Sequence, residues 1–171
     1  MLNIQQALMV VAGRNCNSKH NMELKIERMT FGARPNKYMP DQDLYKHLGE
    51  SGVRKMVSDH YDLLAQSTIK HLFPKNPVGL DAAKERSADF FIQRLGGPDY
   101  FNQHRGNPML VRRHLPFRIK PDDRIVWLEC YREVLLKMDA PEHLVMAFWR
   151  YLHDFSNWMV NTPDGSYSIM R

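Results

Sequence analysis

The sequence predicts an all-α protein, and three observations support this prediction. Apolar residues recur at helical spacing over long stretches after Pro40, as in the face formed by Leu144, Phe148 and Leu152. No stretch alternates apolar and polar residues over the length of a strand. Proline or glycine separates the helical stretches, at points where a helix has to stop. A chain of 171 residues is enough for about one domain with an appendage.

The first 40 residues are predicted to be an N-terminal extension, followed by a domain over residues 41–171. Residues 22–31 could form a short helix or a strand, and residues 32–36 are predicted to be a connector. Residues 7–13 are apolar, but the stretch is short, no Lys or Arg precedes it and no convincing small-residue cleavage site follows it, so a signal peptide is not expected. Three roles stay open for the extension, namely packing on the domain, binding a partner and disorder.

Two helices are predicted at the start of the domain. The first covers residues 41–48 and ends at Gly49, and the second runs from Ser51, a residue type that caps helices, to about residue 66. The apolar stripe of the second helix includes Tyr61. A tyrosine that faces inward needs a partner for its hydroxyl group, so Tyr61 is a candidate site residue.

Residues 71–77 interrupt the helical pattern because their two prolines cannot continue a helix. A helix is predicted after them over residues 80–95, and the Gly-Gly-Pro sequence at 96–98 ends it. Its inner face includes the small residues Ala83 and Ser87. That face could therefore pack closely against something flat.

The last two helices are predicted over a long stretch from Pro121 and over residues 141–160. Asp122 and Asp123 suit the positive end of the first of these helices. Residues 96–120, which precede them, are expected to form short helical turns at most. Irregular segments near twenty residues are uncommon in a compact domain unless they have a function. This segment is therefore where a functional site is expected.

The segment carries an ordered set of motifs that continues into the helix after it. The motifs are Gly96-Gly97-Pro98, Tyr100, Arg105-Gly106-Asn107-Pro108, Arg113-His114-Leu115-Pro116-Phe117, and Arg124 followed by Trp127-Leu128. In this order they resemble the truncated haemoglobins, specifically their second group, within the 2-on-2 globin family. The resemblance covers about residues 43–161, and the first 40 residues lie outside it. It implies a truncated globin fold, a two-on-two helical sandwich around haem b (iron protoporphyrin IX).

The resemblance assigns the proximal iron ligand to His114. A neutral imidazole is the ligand that globins use, and its second ring nitrogen is expected to donate to a carbonyl group. Without the motif, His114 would be interpreted as a surface histidine among arginines. His104 is the other histidine of this segment, but it lies outside the motif.

The resemblance also implies residues that hold the haem. Arg113 and Arg86 match basic positions that contact the haem propionates, because a guanidinium pairs with a carboxylate in a fork geometry. The alternative for each is a solvated surface arginine. Phe73 matches an aromatic wedge against the haem face, and four further apolar residues are expected to wall the pocket: Phe90, Phe91, Leu115 and Phe117.

On the distal side, Tyr61 and Trp127 match family positions whose hydroxyl and indole groups donate to the bound gas. The alternative for both is packing in the core. Ala83 cannot form a hydrogen bond to the gas and leaves the entrance open. Ser87 departs from the residues usual at its position, and it could be a third, weaker donor or could bond back to a helix carbonyl.

These assignments predict a protein that binds O₂ and other diatomic gases (CO and NO). Several distal donors favour slow release, which suits oxygen binding or redox and NO detoxification chemistry more than bulk transport. Activity as an NO dioxygenase or a peroxidase-like enzyme is left open. The sequence has no flavin or nicotinamide motif, so turnover would need a separate reductase.

A second class of function is a small basic helical module that binds RNA or an acidic protein, since the formal net charge is +5. Its basic residues are spread along the chain, which favours a solvated surface with no nucleic acid or membrane partner. The two cysteines, Cys16 and Cys130, form no disulfide framework, and a cytoplasmic location is expected. A monomer and a homodimer are both compatible with the sequence.

Overall fold

The computed structural model describes residues 22–37 and 39–164. The apolar residues 7–13 and Cys16 lie outside the described residues. Within them the chain forms six α-helices, one short 3-10 helix and no strand, which confirms the all-α prediction. The helices are α1 (Asp43–Leu64), the 3-10 helix (Lys70–Leu72), α2 (Pro77–Arg94), α3 (Tyr100–Arg105), α4 (Leu110–His114), α5 (Pro121–Lys137) and α6 (Glu142–Asn157).

Helix α1 contains the two predicted helices, joined across a kink at Gly49. The backbone of Gly49 has φ 65° and ψ −179°, which is outside the helical region and is accessible to glycine without steric cost. The predicted break at this residue is therefore confirmed. The helix ends at Leu64, two residues earlier than predicted.

Helix α2 begins at Pro77, three residues before the predicted start. The side chain of Asn76 accepts a hydrogen bond of 2.7 Å from the amide of Gly79, and Pro77 occupies the first turn, where proline is tolerated. The prediction followed the apolar stripe, which starts only at Leu80. The capping residue and the proline extend the helix beyond that stripe.

The irregular segment contains the two short helices α3 and α4, as expected for a region with short helical turns at most. Helix α5 begins at Pro121 as predicted. Helix α6 covers Glu142–Asn157 and is shorter than the predicted range of 141–160.

The helices pack as two pairs. Helix α1 packs against α2, α5 packs against α6, and α1 also contacts α5 and α6. This arrangement agrees with the predicted two-on-two sandwich. The core between the pairs is apolar and includes the fully buried residues Leu44, Val53, Val57, Leu64, Ile92, Leu95, Leu128, Tyr131, Leu135, Phe148 and Leu152. No helix in the described part of the chain is long and apolar enough to cross a bilayer.

Residues 22–37, here called the N-terminal strap, contain no helix or strand, so the helix or strand considered for residues 22–31 is absent. Leu24 is only 4% exposed and joins the core. Most of the backbone hydrogen bonds of the strap are to side chains of the domain, chiefly those of α6. The indole of Trp149 donates to the carbonyl of Lys25 (3.2 Å), and the amide of Asn157 donates to that of Ala33 (2.7 Å). The strap therefore packs on the domain, and the domain boundary at residue 40 stays a prediction.

Candidate functional site

A cavity of about 760 Å³ lies between the two helix pairs and the irregular segment. Its volume is within the range of pockets that hold a cofactor. The cavity is lined by all but one of the residues expected from the sequence: Tyr61, Phe73, Ala83, Arg86, Ser87, Phe90, Phe91, Arg113, His114, Phe117 and Trp127. These residues come from five separate parts of the chain. The exception is Leu115, which was expected to wall the pocket but is 63% exposed and lies outside the lining. The structure also adds lining residues that the sequence analysis did not single out, among them His60, Phe101, Tyr131 and Met159.

His114 is the last residue of α4 and is half-buried at the wall of the cavity. Its Nδ1 lies 2.7 Å from the carbonyl oxygen of Leu110, one turn earlier, so Nδ1 carries the proton and donates. Nε2 is then the lone-pair nitrogen, and it has no hydrogen-bond partner among the described residues. Burial lowers the pKa of His114 although the bond to Leu110 opposes this effect, so the imidazole is neutral near pH 7.

The histidine outside the motif has a different environment. His104 lies on α3, its ring stacks on Tyr100, and its Nδ1 is 3.4 Å from the carboxylate of Asp89. It does not line the cavity. Of the two histidines of this segment, the structure therefore brings His114 to the other predicted site residues.

Asn161, which follows α6, fixes the segment after His114. Its side-chain amide donates to the carbonyl oxygens of His114 (3.0 Å) and Phe117 (2.8 Å). Its side-chain oxygen accepts from the amide of Ile119 (3.1 Å). The sequence analysis missed this role, because nothing in the local sequence connects residue 161 to a loop more than forty residues earlier.

Arg113 and Arg86 differ in their hydrogen-bond partners. Arg113 donates to the carbonyl oxygens of Pro108 (2.8 Å) and Arg105 (2.9 Å), and its guanidinium carbon lies 5.6 Å from the centre of the Phe101 ring. It therefore braces its own loop, and its acceptors are neutral. Arg86 is exposed at the cavity and has no hydrogen-bond or ion-pair partner in the described part of the chain.

The distal wall contains a pair of hydroxyl groups. The hydroxyl oxygens of Tyr61 and Ser87 lie 2.7 Å apart. This contact differs from both roles considered for Ser87, since the serine bonds to Tyr61. Burial raises the pKa of Tyr61, while the bond to Ser87 and the charge of Arg86 oppose the shift, so Tyr61 keeps its proton.

Two other distal residues complete this wall. Trp127 is half-buried and packs edge-on against Tyr131, with ring centres 4.7 Å apart. Its indole N–H has no hydrogen-bond partner among the residues that the structure describes, so it is free to donate into the cavity. Ala83 is 5% exposed and contributes only a methyl group to the wall. Phe73 meets the ring of Tyr61 edge-on at 5.7 Å.

His60 is a site residue that the sequence analysis missed. It is 1% exposed, its ring stacks on Tyr131 at 3.5 Å, and its Nε2 lies 3.1 Å from the carbonyl oxygen of Trp127. Its Nδ1 is buried without a partner. Burial lowers the pKa of His60 to about 3, against the effect of the bond to Trp127, so the ring is neutral. The sequence pattern could have indicated this residue, because His60 is a polar residue four positions from both Met56 and Leu64 on the apolar stripe of α1.

Comparisons with known proteins agree with this architecture. Residues 43–161 match the family described as bacterial-like globin. The chain is 32% identical over 91 residues to the Group 2 truncated hemoglobin YjbI of Bacillus subtilis (strain 168), a match that covers 53% of this chain and 67% of that protein. It is 38% identical over 73 residues to Two-on-two hemoglobin-3 of Arabidopsis thaliana, covering 40% of this chain and 42% of the plant protein. The match thus spans less than half of the plant relative.

Solved structures show the same similarity in three dimensions. The crystal structure of phosphate-bound Hell's gate globin IV superposes with a TM-score of 0.75 and 32% identity, over 81% of this chain and 87% of that one. The group II truncated hemoglobin from Bacillus anthracis superposes with a TM-score of 0.67 and 26% identity, over 79% of this chain and all of that one.

Proposed function

The chain belongs to the bacterial-like globin family, and from this premise we propose that its cavity holds haem b, with Nε2 of His114 as the iron ligand. As a globin, the chain is a haem-binding protein that binds a diatomic gas. One observation carries the proposed ligand: a neutral imidazole with its proton on Nδ1 leaves Nε2 free at the cavity. Haem would supply the iron at which the gas binds.

The residues of the cavity fit a flat, largely apolar group with two carboxylates. Phenylalanines 90, 91 and 117 supply apolar wall, and Phe73 lies beside the distal tyrosine. Arg86 is free to pair with a carboxylate. Arg113 would have to exchange at least one carbonyl partner for a carboxylate, so we assign the stronger propionate contact to Arg86.

On the distal side, we assign Tyr61 and Trp127 as donors to the gas ligand. The bound gas carries partial negative charge, and donors placed beforehand in an enclosed site stabilise that charge without reorganising. Ser87 bonds to the Tyr61 hydroxyl, and when the serine donates in this bond the tyrosine proton is left for the gas. Ala83 adds no donor and leaves this side of the cavity unobstructed.

This donor set favours slow release of O₂, so the function proposed is oxygen binding with redox or NO detoxification chemistry, and not bulk transport; CO and NO are expected to bind at the same place. A turnover of this kind consumes electrons, which a separate reductase would provide. A function in RNA binding has less support, because Arg105 is paired with Asp89 and Arg113 is held by loop carbonyls.

Absorption spectra of the ferric, ferrous and CO-bound forms test the haem. We expect a Soret band in each form, and a colourless protein purified with haem supplied would refute the proposal. The variant His114→Gly should lose the native spectrum, and added imidazole should restore it. The variant His104→Gly is the matched control and should keep the native spectrum. If His104→Gly lost it and His114→Gly kept it, the ligand would be His104.

A further inference from the structure

Helix α4 has an inner and an outer face. Leu110 and His114 line the cavity, one turn apart. Val111 and Leu115, also one turn apart, point away from it and are 40% and 63% exposed. Met109, just before the helix, is 48% exposed. The short helix that carries the proposed ligand therefore presents an apolar face to solvent.

The charged residues of the segment that carries this helix are all basic. Residues 100–121 include five arginines and lysines and no aspartate or glutamate. Arg112 and Arg118 are exposed, and their side chains have no hydrogen-bond or ion-pair partner among the described residues. The acidic residues that follow are already engaged, since Asp122 pairs with Arg28 and Asp123 accepts from the amide of Lys120. Arg105 is paired with Asp89, but the charges of Arg112 and Arg118 are not compensated by any of the described residues.

Met109, Val111, Arg112, Leu115 and Arg118 are here called the proximal surface. An exposed apolar patch beside unpaired charges is typical of an interaction site. Unpaired cations attract an acidic partner and speed its association, while a small apolar contact allows fast release. A partner bound here would be separated from the proposed iron ligand by the width of one short helix, which favours transfer of an electron.

We propose that the proximal surface is the docking site for an acidic one-electron carrier protein. This inference rests on the proposed haem function and names the electron donor that it requires. The step is a transfer of one electron, in which the reduced centre of the carrier is oxidised and the ferric iron becomes ferrous. No covalent bond forms or breaks.

The test measures binding of an oxidised plant-type ferredoxin, an acidic iron–sulfur protein, to the full haem-loaded chain by isothermal titration calorimetry. We expect binding at about 20 mM salt that is lost at about 300 mM, because exposed charges are screened over a few ångströms at high salt. The double variant R112E/R118E should weaken binding by about tenfold or more. The double variant V111S/L115S should also weaken it, through loss of the apolar contact.

The matched control is K55E/K137E, which changes the net charge by the same amount. Lys55 and Lys137 pair within their own helices with Asp59 and Glu133, away from the irregular segment. This control should leave the dissociation constant unchanged. Reduction of the ferric protein by reduced ferredoxin should slow in R112E/R118E but not in K55E/K137E, while CO binding stays the same in both.

Three results would overturn the docking proposal. They are no binding by a protein with normal haem spectra, equal weakening by both charge variants, and a dimer in sedimentation that R112E/R118E dissociates. The last result would make this surface an interface between two copies of the chain. Absence of a Soret band would instead refute the haem proposal, so the two failures are distinguishable.

Discussion

The hydroxyl groups of Tyr61 and Ser87 lie 2.7 Å apart, and either one can donate to the other. When Ser87 donates, the proton of Tyr61 points elsewhere and can reach a ligand in the cavity. When Tyr61 donates, its proton is bound to Ser87 and is not available to a ligand in the cavity. The indole N–H of Trp127 has no such competitor in the described part of the chain. The distal donors are therefore unequal.

We expect Trp127→Phe to speed oxygen dissociation by about 10- to 100-fold, since hydrogen bonds to charged groups contribute roughly 1.5–3 kcal/mol. Ser87→Ala should change the rate by only a few-fold, because it removes a partner of the donor and leaves the donor itself. Stopped-flow dissociation kinetics measure both. Trp158→Phe is the control for the tryptophan, since its indole donates to the carbonyl of Pro35 on the strap. A larger effect of Ser87→Ala would contradict this ranking.

His60 makes stability depend on pH. Burial holds its pKa at about 3 in the folded chain, against an ordinary value of 6.5. Between these values the unfolded chain binds one proton more, so the free energy of unfolding falls as pH decreases, by up to about 1.4 kcal/mol per pH unit. His60→Gln keeps a donor for the carbonyl of Trp127 and has no titrating group. Urea unfolding from about pH 7.5 to about pH 4 measures how steeply the free energy of unfolding depends on pH. In the variant this slope should be smaller than in the original chain, by the equivalent of nearly one proton. An unchanged slope would contradict the assignment.

Asp89 joins three helices. Its side chain is 2% exposed, and it accepts from Arg105 on α3 (2.6 Å) and Arg54 on α1 (3.2 Å). Burial raises the pKa of this carboxyl, but hydrogen bonds from Arg105, His104 and Arg54 outweigh it and hold the pKa below 3.8. The stabilisation is therefore complete above the unfolded pKa and is lost as pH falls through the folded pKa.

Asp89→Asn should lower the free energy of unfolding by about 3 kcal/mol, because it leaves two guanidinium groups without their shared carboxylate. The control is Asp59→Asn, which breaks a pair with Lys55 on the surface of α1. Exposed pairs of this kind contribute at most about 1 kcal/mol. Denaturant unfolding at neutral pH compares the two, and equal losses would show that Asp89 has no special role.

Asn161 and Asn157 hold different segments, so each serves as the control for the other. Asn161→Ala removes the bonds to His114, Phe117 and Ile119, and amide hydrogen exchange should rise over residues 115–119. Asn157→Ala removes the bond to Ala33, and exchange should rise in the strap. Mass spectrometry of peptides from both regions measures this. If both variants loosened the same segment, the two contacts would not act separately.

Helix order, the break at Gly49 and the start of α5 were predictable because they depend on local signals, such as proline, glycine and apolar spacing. The gathering of the motif residues at one cavity could be expected through the family resemblance. Spacing alone would have left His114 as one more histidine among arginines. The start of α2 was misplaced because the cap at Asn76 and the proline after it lie outside the apolar stripe.

Contacts between distant parts of the chain were not predictable. Residues 22–31 form neither a helix nor a strand, because side chains of α5 and α6 bind their backbone groups. The sequence does not show which side chains will reach them. The contacts of Asn161 with the segment after His114 were not predictable for the same reason. The hydroxyl pair of Tyr61 and Ser87 depends on the approach of α1 to α2, which fixes a geometry that neither helix specifies by itself.

The strap also has a consequence for the order in which the chain assembles. Glu27 bonds to His153 and Ala33 to Asn157, pairs separated by 126 and 124 positions. During synthesis the strap leaves the ribosome more than a hundred residues before the helix that receives it. Until that helix has been made, the backbone groups of the strap that it binds are left to water, since domains fold as their segments become available. The first described residues of this chain are thus among the last to reach their final positions.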